Sequence, residues 1–159
     1  MIKIKIITVG KLKEGYLREA CDEYVKRIMG HAQVEIVELR ESKLPDSPSE
    51  GQIKNALTAE GENILAAVPR EAYSIALCVE GKQLSSEELA AKMADVTNTS
   101  SCICFIIGSS YGLAPEVKSA CDFRISFSKM TFPHQLMRVI LLEQVYRGFM
   151  INGKRTYHK

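Results

Sequence analysis

The sequence predicts an α/β fold built on a parallel sheet, and three observations predict it. Ten segments alternate between strand-like and helix-like apolar periodicity, in the order β-α-β-α-β-α-β-α-β-α. That is the chain order of parallel strands joined by crossover helices. Residues 101–107 (Ser-Cys-Ile-Cys-Phe-Ile-Ile) are apolar almost without interruption, the pattern of a strand covered on both faces. The composition, 46% apolar and 25% charged over 159 residues, is that of a single globular domain able to bury a core without crosslinks.

Each element has its own signal. Residues 2–9 alternate and then saturate with Ile and Val, a first strand closed by Gly10. Leu17, Ala20, Tyr24 and Ile28 recur at helical spacing and stop near Gly30. Residues 34–39 alternate Val, Ile and Leu with Glu, as a half-exposed strand does. Residues 40–51 hold two prolines, three serines and five charges, which reads as a mobile surface loop. Residues 53–68 follow as an amphipathic helix, and residues 74–79 as a short apolar strand closed by Glu80-Gly81-Lys82. Ser85 and Glu88 have capping-box spacing and open the next helix. After the 101–107 strand comes a short helix over 114–121, with Pro115 near its start where proline is tolerated. A brief strand spans 124–127, and a long helix runs from Pro133 to about Ile151, ended by Asn152-Gly153. Ligands of such sheets lie beyond the carboxyl ends of the strands, which selects the loops 80–84, 108–114 and 128–132.

Composition excludes several function classes. A net charge of +2 makes no case for nucleic acid by itself. No apolar run approaches the ~20 residues of a membrane span. The cysteines, Cys21, Cys78, Cys102, Cys104 and Cys121, are odd in number and scattered, and Met1-Ile2-Lys3-Ile4 opens directly into a strand pattern. Both features predict a reducing, cytoplasmic setting. Cys102 and Cys104 share a strand face, but no second pair stands at zinc spacing. The thiols therefore read as small buried hydrophobes, and no metal is expected.

The reactive residues crowd into the last third. Gly108-Ser109-Ser110-Tyr111-Gly112 links a buried strand to a helix. Its glycines permit tight turns and close backbone approach, yet it is neither a Walker loop nor a dinucleotide fingerprint. Ser126-Phe127-Ser128-Lys129-Met130-Thr131-Phe132-Pro133-His134 concentrates hydroxyls, a lysine and backbone amides between apolar side chains, a composition that suits wrapping a flat ring. A plain strand-to-helix turn capped by Thr131 remains the alternative. His134 and Arg138 are four apart and share a helix face. Arg138 is the only charge between Leu136 and Leu142, so it is either paired or functional. His134 caps the helix or takes part in the chemistry. Because that helix is apolar nearly all round, a dimer seam is expected along it. The tail, Lys154-Arg155-Thr156-Tyr157-His158-Lys159, reads as a basic terminus or as an arm that meets phosphates and bases. Lys11, Lys13, Arg124 and Lys129 are candidates to extend a basic surface.

Taken together, Leu77, Gly108-x-x-x-Gly112-Leu113, the run from Ser126 to Arg138, Glu143-Gln144-x-Tyr146-Arg147 and Tyr157-His158-Lys159 closely resemble the ribosomal large-subunit RNA pseudouridine-N3 methyltransferases, the RlmH type of the SPOUT class. The resemblance spans the whole chain. It implies one SPOUT domain over residues 1–159, with a C-terminal trefoil knot and a cofactor site in about 75–159. It also implies a homodimer, S-adenosyl-L-methionine as cofactor, and a pseudouridine in a ribosomal RNA stem-loop of the assembled ribosome as substrate. Cofactor contacts carry over to Leu77, Gly108, Phe127, Ser128, Lys129, Met130, Thr131 and Phe132. Ser109 departs from the pattern, standing where many relatives have a second glycine. In the implied reaction N3 loses a proton while charge develops on the flanking oxygens, so a cation beside them would help. Arg138 is the first candidate for that cation, and His134, Tyr157 or His158 for the proton acceptor. A relative acting on transfer RNA and a non-enzymatic ribosome-associated factor are the alternatives.

Overall fold

The computed structural model describes residues 1–154. Its elements are β1 (Lys3–Val9), α1 (Gly15–Ile28), β2 (Gln33–Leu39), α2 (Glu50–Ala67), β3 (Tyr73–Gln83), α3 (Ser86–Val96), β4 (Cys102–Ile107), α4 (Pro115–Ala120), β5 (Phe123–Ser126) and α5 (His134–Asn152). The strands form one sheet in the order β2-β1-β4-β3-β5, and every neighbouring pair is parallel. The expected alternation and the expected parallel sheet are therefore both present.

Helices α1, α3 and α5 cover one face of the sheet and α2 and α4 the other. The central strand β4 shows how the sequence builds two cores. Ile103, Phe105 and Ile107 point into the first, while Cys104 and Ile106 point into the second. All six residues of β4 are buried, as its uninterrupted apolar run requires. β1 divides the same way, with Ile4 and Ile6 on the α5 side and Ile7 and Val9 opposite. At roughly 25 cal/mol per Å² of apolar surface, such side chains contribute about 1.5–3 kcal/mol each.

Two boundaries differ from the sequence reading. The surface segment after β2 ends earlier, because Ser49 caps α2: its Oγ accepts from the Gln52 amide, and the Gln52 side chain accepts from the Ser49 amide. The linker composition and Gly51 mask this Ser-x-x-Gln box. The segment is also tied down, since the Ser42 amide donates to Glu60 Oε2 at 2.9 Å and its hydroxyl to the Ala56 carbonyl at 3.3 Å.

β3 is longer than expected. It continues through Gly81 to Gln83, with a register slip in which Leu77 and Lys82 both face Ile125 of β5. The residues between them leave the ladder, as in a bulge. Glycine is needed there: a Cβ on Gly81 would lie 2.6 Å from the Ile125 carbonyl carbon and 2.9 Å from that of Arg124.

α5 packs against α1 and α3 through Leu141, Leu142, Val145, Gly148 and Met150. Gly148 allows close contact, since a Cβ there would meet Met93 Sδ at 2.8 Å. Leu136, Ile140, Glu143, Arg147 and Ile151 lie outside both cores at helical spacing, forming a part-apolar outer stripe. Among the described residues no helix is long and apolar enough to cross a membrane.

Candidate active site

The carboxyl ends of β3, β4 and β5 open into a cleft of about 790 Å³, within the size range of small-molecule and cofactor sites. The loops selected by the strand-end rule line this cleft, although the first contributes residues 77–80 rather than 80–84. One wall comes from the β3 excursion: Leu77, Cys78, Val79 and Glu80. A second is the β4–α4 loop from Gly108 to Leu113. A third is the β5–α5 loop, with Phe127, Ser128, Met130, Thr131 and Phe132. The start of α5 closes the rim with His134, Gln135 and Met137.

The glycine loop is tightly folded. Ser109 and Gly112 form an antiparallel bridge, and the Gly112 amide donates to the Ser109 carbonyl at 2.9 Å. Gly112 adopts φ +88°, a conformation that favours glycine. A Cβ on Gly108 would run into the Gly112 carbonyl and Leu113 Cδ2. Glycine at 108 therefore lets the loop fold back so that the Gly112 main chain packs directly on it. Ser109 is buried, at 7% exposure.

The β5–α5 loop holds itself in shape. Ser126 Oγ donates to the Ser128 carbonyl at 2.9 Å, and the Met130 amide donates to Ser128 Oγ at 3.0 Å, a serine turn. Thr131 caps nothing, because the α5 N-cap is Pro133 and carries no side-chain hydrogen bond. The loop is a strand-to-helix turn without the expected Thr131 cap, and His134 follows the N-cap rather than forming it.

Seven of the eight cofactor candidates line the cleft: Leu77, Gly108, Phe127, Ser128, Met130, Thr131 and Phe132. Lys129 belongs to the same loop but is exposed and outside the lining. Of the four reactive candidates, His134 lines the rim. Tyr157 and His158 lie outside the described residues.

Arg138 lies one turn beyond His134, buried at 4% exposure, and does not line the cleft. Its Nη1 donates to Glu38 Oε2 at 2.7 Å, and its Nη2 to Thr8 Oγ1 at 3.0 Å and to the Gly10 carbonyl at 3.3 Å. Its Nε is buried without a hydrogen-bond partner among the described residues. The arginine is therefore paired, which is one of the two outcomes its apolar setting allows. His134 faces the same place, with Nε2 3.6 Å from where a Cβ of Gly10 would sit. The expected shared face of His134 and Arg138 is directed at the carboxyl end of β1.

Glu38 completes this knot of contacts. Burial disfavours its charge, but the hydrogen bond and charge of Arg138, with the Leu12 amide, outweigh that and hold the carboxyl below its ordinary value. Sequence reasoning missed Glu38: it stands at the exposed end of an alternating strand and meets Arg138 a hundred residues away. It also missed Lys118 of α4, which lines the cleft and pairs with Glu80.

Burial pushes the Cys21 thiol up to about 11 and the Cys104 thiol up to about 12, so both are inert core groups. Cys78 is partly exposed in the cleft wall. Among the described residues no cluster of His, Cys, Asp and Glu is placed to hold a metal.

A cleft with apolar walls, a tight glycine loop and hydroxyls at its edge has the size and chemistry of a small-molecule site. The family model described as "Predicted SPOUT methyltransferase" matches residues 2–158. The chain is 47% identical over 159 residues to ribosomal RNA large subunit methyltransferase H of Clostridioides difficile, covering 99% of this chain and 100% of that protein. It is 50% identical to the protein of the same name from Bifidobacterium adolescentis and 49% to that of Streptococcus thermophilus, each over 159 residues with the same coverage.

Proposed function

The chain belongs to the SPOUT methyltransferase family, and we propose that it is an S-adenosylmethionine-dependent ribosomal RNA methyltransferase acting on N3 of a pseudouridine in the large subunit of the assembled ribosome. The observation that carries this reading is the cleft itself. The tightly folded loop from Gly108 to Leu113 and the loop over 127–132 line it together with Leu77. The residues present fit an S-adenosyl nucleoside, with Leu77, Gly108 and that loop holding it. When bound, the cofactor supplies an electrophilic methyl group on a sulfonium.

The chain's own residues do the rest. The apolar walls exclude water and hold the reacting atoms in line, where positioning supplies most of the rate. His134 stands on the rim and can take the N3 proton, a role shared in this proposal with Tyr157 and His158 of the tail. Arg138 acts as a positioning residue, locking the start of α5, and with it His134, against the ends of β1 and β2 through Thr8, Gly10 and Glu38.

The same proposal includes one domain over 1–159, a trefoil knot in its C-terminal half and a cytoplasmic homodimer joined along the outer stripe of α5.

Acceptor choice tests the reading. Purified protein with radiolabelled cofactor is offered assembled ribosomes, naked ribosomal RNA and transfer RNA. Methyl incorporation into assembled ribosomes is expected, with the other two labelled far less. Preferential labelling of transfer RNA would overturn the substrate, and absence of transfer from a protein that still binds cofactor would leave a binding factor.

A further inference from the structure

We propose that Glu80 and Lys118 form a subsite for the zwitterionic amino-acid end of the S-adenosyl compound, Lys118 taking its α-carboxylate and Glu80 its α-ammonium. The inference rests on the cofactor reading of the cleft and extends it to residues outside the glycine loop and the 127–132 loop. Its first support is exclusion. Among the described residues that line the cleft, Glu80 and Lys118 alone carry a formal charge at neutral pH, apart from the titratable His134. The other walls offer apolar surface, hydroxyls, an amide and main chain. A ligand of this class brings an ammonium and a carboxylate on one carbon, and it has one pair of opposite charges to meet.

The second support is how the pair is delivered. Glu80 lies on the excursion where β3 leaves its ladder, between the two registers that share Ile125. Gly81 next to it is pressed against β5, so close that a Cβ would lie 2.6 Å from the Ile125 carbonyl carbon. Lys118 comes from α4, and its carbonyl accepts from Arg124 Nη1 at 2.8 Å. Both backbones are therefore fixed by contacts independent of the ion pair.

The third support is exposure. The side chains of Glu80 and Lys118 are 57% and 27% exposed, and a pair so open to water contributes little to folding. Parting to admit a zwitterion leaves each charge with an opposite partner. Two charge-assisted hydrogen bonds to ligand then replace one within the protein.

Calorimetric titration of the full chain tests this with two ligands, S-adenosylhomocysteine and 5′-methylthioadenosine. The second keeps the nucleoside and the thioether but lacks the amino acid. Lys118→Met and Glu80→Gln are each expected to weaken S-adenosylhomocysteine roughly fivefold to tenfold, as loss of a charge-assisted bond does. Both should leave methylthioadenosine within about twofold of the wild type, and Lys118→Arg should bind S-adenosylhomocysteine nearly as wild type does. Equal weakening of both ligands, or of neither, would overturn the subsite. If the wild-type protein binds neither compound, the cofactor reading fails, and the subsite falls with it.

Discussion

At the scale of single residues the account turns on Arg138 and what holds it. A guanidinium at 4% exposure between apolar helices needs partners, and Glu38 supplies the charge. Glu38→Gln keeps the shape and removes that charge. It is expected to lower stability by about 2 kcal/mol, less than for a fully buried pair because Glu38 is partly exposed. Its carboxyl titrates below the ordinary 4.5 in the folded protein. The stabilisation is therefore complete above that value and is lost as the pH falls through the lower folded-state value. Denaturant unfolding at several pH values should show wild type and variant converging in acid. A purely structural pair would move stability alone. The positioning role further predicts that the variant loses roughly 10-fold to 100-fold in kcat while its affinity for S-adenosylhomocysteine stays nearly unchanged. Unaltered kcat would remove Arg138 and Glu38 from the catalytic account. Half of this was legible in the sequence. An arginine inside Leu-Met-x-Val-Ile-Leu-Leu announces a partner or a role, but nothing in the local pattern says that the partner is on β2. Gly108 is a similar case: its spacing alone is an ordinary turn, and only the collision of its absent Cβ with Gly112 shows why glycine stands there.

At the scale of elements, periodicity was nearly sufficient. Continuous apolar character gave β4, capping-box spacing gave α3, and the Asn-Gly stop gave the end of α5, because each signal is local and strong. Two errors were also local in origin. The Ser49 cap was hidden by prolines and charges, and the second half of β3 carries Glu80, Gly81 and Lys82, residues that ordinarily end a strand. The slip against Ile125 lets the strand rejoin the sheet at Lys82, a tertiary effect that no single-segment pattern reveals. The same limit applies to α5. Its apolar character on nearly every side is explained in part by α1 and α3, which bury Leu141, Leu142 and Val145. The outer stripe of Leu136, Ile140 and Ile151, with the Glu143–Arg147 pair at 2.9 Å between them, is left for a second copy in the proposed dimer. Ile140→Glu is expected to shift the protein from dimer to monomer in sedimentation velocity while its circular dichroism stays native. A native-like variant that sediments unchanged from a dimeric wild type would move the seam elsewhere.

For the whole molecule, the sheet brings the three loops at the carboxyl ends of β3, β4 and β5 into one cleft, and α5 carries His134 to its rim. Chain order predicted that convergence, because a parallel sheet gathers all its carboxyl ends on one edge. The substrate side was legible only through the resemblance, since a net charge of +2 gives no nucleic-acid signal. The central claim is that this cleft methylates N3 of a pseudouridine in ribosomal RNA. The most direct measurement is mass spectrometry of nuclease-digested large-subunit RNA from cells with and without the protein. The account predicts that RNA from the deficient cells lacks a single methyl group, at a pseudouridine, and that purified protein with S-adenosylmethionine restores it on their ribosomes. An identical methylation profile in the two RNAs, or a methyl lost from a base other than pseudouridine, would contradict it.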